Sequence, residues 1–179
     1  MAILKVARLG HPVLREKSLP VPIDEIRSPE IQRLIDDLVE TMREYNGAGL
    51  AAPQVGVQKR LFVYDIGDGA DVLVNPVIDE SRGEWTFEEG CLSVPELSWP
   101  IVRPKEVHLT GFDLEGNEVS LEADELLARL FQHELDHLDG VLLLQHLEPD
   151  QQKEARRILR QRALGLPVDP PQSERAGAL

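Results

Sequence analysis

The 179 residues carry 42% apolar and 28% charged side chains and a net charge of −13, a mixture proper to a folded globular chain and wrong for a fibre or a disordered one. At this length a chain buries roughly 70% of the surface its unfolded form exposes, enough for one sizeable core and too little for two. The negative charge opposes general nucleic-acid binding and gives no basis for specific DNA recognition; no apolar run approaches the ~18 residues of a membrane span, and the opening MAILKVARLGHP is too short in apolar residues for a signal peptide, so a cytoplasmic location is expected.

After an N-terminal segment rich in turn residues, Ser28-Pro29 reads as an N-cap followed by proline in the first helical turn. Ile31, Leu34, Ile35, Leu38 and Met42 then mark one face of an amphipathic helix ending near Gly47. The stretch GAGLAAPQVG, Gly47 to Gly56, is expected to interrupt regular structure as a shaped loop that brings backbone close to a ligand. Short β-type runs follow at Leu61 to Ile66, Val72 to Val74, around Trp85 to Phe87, and at Ile101 to Val102. A hairpin is predicted between Val107 to Phe112 and Glu118 to Leu121, turning at Glu115-Gly116-Asn117. A second helix begins at about Asp124 with Leu126, Leu127, Leu130 and Phe131, and a third runs from near Pro149 to about Leu164. Strands grouped between helices, without βαβ alternation, argue for an α+β fold. Residues 1–164 read as a single domain and 165–179 as a flexible tail.

His133-Glu134-Leu135-Asp136-His137 is the strongest chemical signal. Histidines four apart project from one face of a helix and can pinch one ion, with the glutamate between them in reach of a water there. Leu126, Leu130, His133 and His137 follow i, i+4, i+7, i+11, so both imidazoles are expected to continue a buried stripe, with Arg129, Gln132 and Asp136 on a solvated face. Two satisfied core histidines are the plainer reading, but two imidazoles and a carboxylate on a buried stripe are costly without a partner such as a metal. A catalytic ion needs a third protein ligand. The extended His-containing motif fails, because the position six residues after His137 is Leu143. Glu148 or Glu154 downstream are alternatives, and the only cysteine, Cys91 in Glu88-Glu89-Gly90-Cys91-Leu92-Ser93, is the better candidate. A lone cysteine is more often an inert buried residue; beside Gly90, at a strand edge, it becomes a candidate thiolate.

GAGLAAPQ (Gly47 to Gln54), EGCLS (Glu89 to Ser93) and QHELDH (Gln132 to His137) resemble, in order, the three signature motifs of the peptide deformylase family. The resemblance extends over about residues 3 to 150. It implies small mixed or antiparallel sheets packed around a central metal-binding helix, with N-terminal and C-terminal helices, and removal of the formyl group from the N-terminal formyl-methionine of new proteins with release of formate. By matching positions it implies Cys91, His133 and His137 as metal ligands and Glu134 as the acid-base residue. Gln54 and the Leu92 N–H would stabilise the oxyanion, and Gly49 would hold an extended peptide. Ala48, Glu89 and Leu130 would line the methionine pocket. The implied ion is one divalent metal per chain, Fe(II) first, with Zn(II), Ni(II) and Co(II) as alternatives. The sequence departs from several relatives at Ser98, where they carry an arginine that contacts substrate.

Lys153, Arg156, Arg157, Arg160 and Arg162 gather on the third helix of an otherwise acidic chain. The resemblance makes ribosome contact one reading; a solvated helix with cations near its C-terminus is the other. Two rival functions use the same ligands differently. A metalloprotease would draw its third ligand from downstream, and a structural zinc protein would need a fourth from His108, His146 or His11.

Overall fold

The computed structural model describes residues 2–168, in two compact units, one ending at Leu143 and the other beginning at Leu144. In the first unit, helix α1 (Pro29–Glu44) starts where Ser28 Oγ accepts from the Ile31 N–H at 3.3 Å. Seven strands follow: β1 (Gly49–Ala51), β2 (Leu61–Tyr64), β3 (Asp71–Arg82), β4 (Trp85–Cys91), β5 (Val94–Arg103), β6 (Glu106–Phe112) and β7 (Glu118–Asp124). Helix α2 (Glu125–Leu138) comes next. The strands make a five-stranded antiparallel sheet in the order β1-β2-β3-β6-β7 and a separate β4-β5 hairpin.

Alternation along the strands explains how α1 and α2 take opposite faces of the large sheet. Leu61 and Val63 of β2, with Val72 and Val74 of β3, turn toward Ile31, Ile35, Leu38 and Met42 of α1. Phe62 and Leu73, one residue out of step, turn the other way, toward Ala128, Phe131 and Leu138 of α2. The centre of the sheet is therefore buried on both sides, and Phe131, fully buried, meets Phe62 at 6.0 Å and Tyr64 edge-on at 5.1 Å between ring centroids. These rings seat α2 across the sheet, with its histidine turn toward the edge strand β1.

Three expectations change. Gly49–Ala51 is strand β1, paired with β2 through Gly49–Tyr64, Leu50–Val63 and Ala51–Phe62, and Ala52–Val55 is a turn of 3-10 helix, so the glycine-rich stretch is ordered by pairing that local propensity does not reveal. On α2, Leu126, in the helix's first turn, is 59% exposed. The face assigned to solvent is mostly buried: Arg129 and Gln132 are 5% and 9% exposed and Asp136 is held by Arg103 at 2.9 Å, because each finds polar partners on the β4-β5 hairpin and the segment after it.

In the second unit, helix α3 (Pro149–Ala163) begins at Glu148, whose N–H donates to Gln151 Oε1 at 3.0 Å. Gly165 to Val168 form no helix or strand, and 169–179, the greater part of the expected tail, lie outside the described residues. Among the described residues no helix is long and apolar enough to cross a membrane.

Candidate active site

The β4-β5 hairpin delivers the cysteine. Its pairing runs regularly to Gly90–Ser98, then slips so that Cys91 faces Val94 across the Leu92-Ser93 turn. That slip leaves Cys91, half-buried, at the end of β4 with its sulfur toward α2. There Cys91 Sγ lies 3.2 Å from His137 Nε2, and His137 Nε2 lies 3.2 Å from His133 Nε2. Among the described residues these three form the one cluster of metal-type donors, all within 4.8 Å of one another.

The donors fit a divalent ion. Metal–sulfur and metal–nitrogen bonds of about 2.3 and 2.1 Å in a tetrahedral arrangement separate donors by about 3.4 to 3.6 Å, and the two 3.2 Å separations at His137 Nε2 lie within a few tenths of an ångström of that spacing. Burial works against a charged thiol, yet His137 and His133 hold Cys91 well below its ordinary value, favouring the thiolate that binds metal. Burial likewise opposes a charged His133, but Cys91, Glu89 and Glu134 hold it well above its ordinary value, so the pair would give up a proton on holding an ion. His11, with Nδ1 capping the Val13 N–H, and His108, bonded to Ser120 Oγ on the sheet, are engaged elsewhere.

Glu134 is 4% exposed, and its Oε2 is buried without a hydrogen-bond partner among the described residues. Burial pushes its carboxyl up to about 7, against the pull of His133 and His137. It packs on β1 so closely that a Cβ on Gly49 would fall 2.5 Å from Glu134 Oε1. Only glycine leaves room there for the carboxylate. Gln54, 1% exposed, is fixed by its own Oε1, which accepts from the Ala51 N–H at 2.8 Å. Its Nε2 is thereby turned toward Ser93 Oγ at 3.3 Å and Cys91 Sγ at 3.9 Å.

Ala48, Gly49, Gln54, Glu89, Cys91, Leu92, Leu130, His133 and Glu134 all line one cavity of about 990 Å³, while His137 lies behind it, 2% exposed. Glu89 is more than lining. Its Oε1 accepts from Arg103 Nη2 and contacts His133 Nδ1, each at 2.7 Å; its Oε2 accepts from Arg103 Nε at 2.8 Å and Arg129 Nη1 at 2.7 Å. Burial works against its charge, but His133 and Arg103 hold the carboxyl far below the usual range. This carboxylate orients the His133 ring so that Nε2 faces the cluster, as partners of metal-binding histidines do. Arg129 also donates to the Trp85 carbonyl at 2.7 Å, with its guanidinium 5.2 Å from the Trp85 ring centre. Sequence pattern misses both arginines, although Arg129 stands four residues before His133, a spacing that shares a helix face. Arg103 has no such local signal.

Across residues 3–153 the sequence matches the family model described as Polypeptide deformylase. The peptide deformylase of Acidothermus cellulolyticus is 47% identical over 161 residues, covering 90% of this chain and 88% of that one. That of Carboxydothermus hydrogenoformans is 48% identical over 145 residues, covering 81% and 93%. In structure the chain is similar to a peptide deformylase from Legionella pneumophila, with a TM-score of 0.85 and 39% identity over 94% of this chain and 100% of that one. It is equally similar to the Ehrlichia chaffeensis peptide deformylase in complex with actinonin, with a TM-score of 0.85 and 33% identity over 90% and 98%. Agreement in sequence and in backbone over nearly the whole length leads to one conclusion: the chain belongs to the peptide deformylase family.

Proposed function

We propose that the cavity takes an N-formyl-methionyl chain end and that its residues hydrolyse the formyl amide, releasing formate and a free amine. Peptide deformylase activity is the family's reaction, and the observation that carries the reading of this site is the Cys91–His133–His137 cluster beside the buried Glu134 carboxyl, whose Oε2 has no hydrogen-bond partner among the described residues. A divalent ion held by the cluster supplies Lewis-acid chemistry, lowering the pKa of water toward about 7 and polarising a carbonyl.

Glu134 removes the proton of the attacking water as the C–O bond forms at the formyl carbon. It then gives that proton to the amine nitrogen as the C–N bond breaks. Gln54 Nε2 and the Leu92 N–H donate to the oxygen that becomes negative, each worth about 3 kcal/mol in the transition state. The Gly49 backbone, in edge strand β1, pairs with the extended peptide. Ala48 and Leu130 wall the methionine pocket, and Glu89 shapes it through His133 and the two arginines. Formate release from a formyl-Met peptide, with the unformylated peptide as control, tests this reading. Cleavage of the unformylated peptide without formate release would replace it with the metalloprotease reading.

Fe(II) is our proposed ion, with Zn(II), Ni(II) and Co(II) as alternatives, since a thiolate with two imidazoles suits all four. Iron-loaded protein should lose most of its activity on exposure to air and keep it under nitrogen, whereas zinc-loaded protein should be indifferent. Equal loss with and without air counts against iron.

A cytoplasmic enzyme acting on nascent chains gains from proximity to the ribosome, and α3 offers the chemistry. Lys153, Arg156, Arg157 and Arg160 line a shallow cavity of about 450 Å³ with Leu164 and Leu166. Such a patch binds phosphate-rich surfaces in a salt-dependent way. Co-sedimentation with ribosomes should weaken as salt rises and disappear on deletion from Gln151 or in Arg156→Glu/Arg160→Glu. Pelleting unchanged in both variants would sink ribosome contact.

A further inference from the structure

The N-terminal strap is pinned to the site at alternate residues. The Ala7 N–H donates to the Gln54 carbonyl at 2.7 Å, and the Leu9 N–H to the Ser93 carbonyl at 3.0 Å. These are the two segments that carry the proposed oxyanion donors. Arg8, between the anchors, is exposed and lines the active-site cavity. Its guanidinium has one partner among the described residues, the Leu92 carbonyl, at 3.4 Å from Nη1. A guanidinium presents five N–H donors in a fork that matches a carboxylate, so most of the capacity of Arg8 is unused among the described residues.

The surrounding charges give this cation a direction. The cavity's other arginine, Arg129, is 5% exposed and committed to Glu89 and the Trp85 carbonyl. On the hairpin side the lining is acidic: Glu88 accepts from Ser98 Oγ at 2.6 Å, and Glu96 lies beyond the Leu92-Ser93 turn. A negative group entering with the substrate is repelled from the hairpin and attracted to the strap. Ser98 offers no cation of its own.

We infer that Arg8 binds a carboxylate carried by the peptide just beyond its methionine, and so sets a preference for acidic substrates. The inference rests on the deformylase reading of the same cavity. A cavity of 990 Å³ is about 10 Å across, and an extended chain advances about 3.3 Å per residue. The carboxylate is therefore an acidic side chain among the second to fourth residues or, in a short peptide, the terminal carboxylate.

Steady-state formate release would be compared for formyl-Met-Ala-Glu-amide, formyl-Met-Ala-Gln-amide and formyl-Met-Ala-Gln with a free carboxylate. The enzymes are the metal-loaded parent, Arg8→Gln and Arg8→Lys. The parent should favour one or both carboxylate peptides over the neutral one by about three- to tenfold, through KM, as suits an exposed charged pair. The preference should fade as salt rises. In Arg8→Gln the ratio falls to about one, and Arg8→Lys keeps part of it. Preference for the Glu amide alone identifies the side chain as the source; preference for the free acid alone identifies the chain end. Formate release with no preference in the parent, or a preference that Arg8→Gln leaves intact, overturns the role of Arg8. A uniform loss on all three peptides with the ratio kept does so too, since that is what a merely structural strap would give. No formate from any peptide overturns the deformylase reading and this inference with it.

Discussion

Glu134→Gln should lower kcat for formate release by about 10²- to 10⁴-fold while the protein keeps its divalent ion. Glutamine keeps the size of the side chain and its seat against Gly49, where the carboxylate packs 4% exposed. What it loses is the ability to take a proton and return it. The ligands Cys91, His133 and His137 are untouched, so metal content after dialysis should equal that of the parent. A fall of less than tenfold would remove Glu134 from the proton transfers, and loss of the ion along with activity would make its role structural.

The same substitution has an opposite, pH-dependent effect on the chelated protein. Burial pushes the folded-state Glu134 carboxyl up to about 7, while an unfolded chain has it near 4.3. Below the unfolded value both states are protonated and the residue costs nothing. Between the two values the unfolded chain ionises first, so the folded state loses stability as pH rises, until above about 7 the loss is complete at about 4 kcal/mol. In urea titrations of chelated protein, Glu134→Gln should match the parent near pH 4 and exceed it at pH 8. A stability difference that is flat across that range contradicts the folded-state shift.

Sequence pattern reveals what is local. The Ser28 cap, the α1 stripe and the His133–His137 pair are each coded within a turn or two of helix, and each stands where the residues indicate. Elements that depend on distant partners are read less well. Strand β3 runs on through Asp79, Glu80, Ser81 and Arg82, a polar stretch with no strand signal, because β6 pairs with it at Thr110 through Glu106. Strand β1 hides in a glycine-rich run for the same reason. In the site, the motif residues are visible from type and spacing, and all the site residues named from them except His137 line one cavity. The supporting charges are not visible. Arg129 and Asp136 look like solvent-facing residues of an amphipathic helix, since their partners Glu89 and Arg103 come from a hairpin tens of residues away.

That hidden network predicts the largest loss of stability. In Glu89→Leu the guanidinium groups of Arg103 and Arg129, 5% and 6% exposed in their side chains, lose a shared carboxylate, and His133 Nδ1 loses its acceptor. Removing one member of a buried charged network costs about 3–5 kcal/mol, much of it the uncompensated charge left behind. The urea midpoint should fall accordingly at unchanged slope, and ion affinity should weaken about 10- to 100-fold because His133 is no longer held in orientation. The two arginines are not equally stranded. Arg103 keeps Asp136 at 2.9 Å, whereas Arg129 is left with the Trp85 carbonyl and ring. Adding Arg129→Leu to Glu89→Leu should therefore restore at least about 1 kcal/mol, a non-additivity expected of groups sharing one buried partner. If Glu89→Leu unfolds within about 1 kcal/mol of the parent, or if Arg129→Leu only adds to its loss, then Glu89 is pocket lining rather than the carboxylate that holds the hairpin, the helix and His133 together.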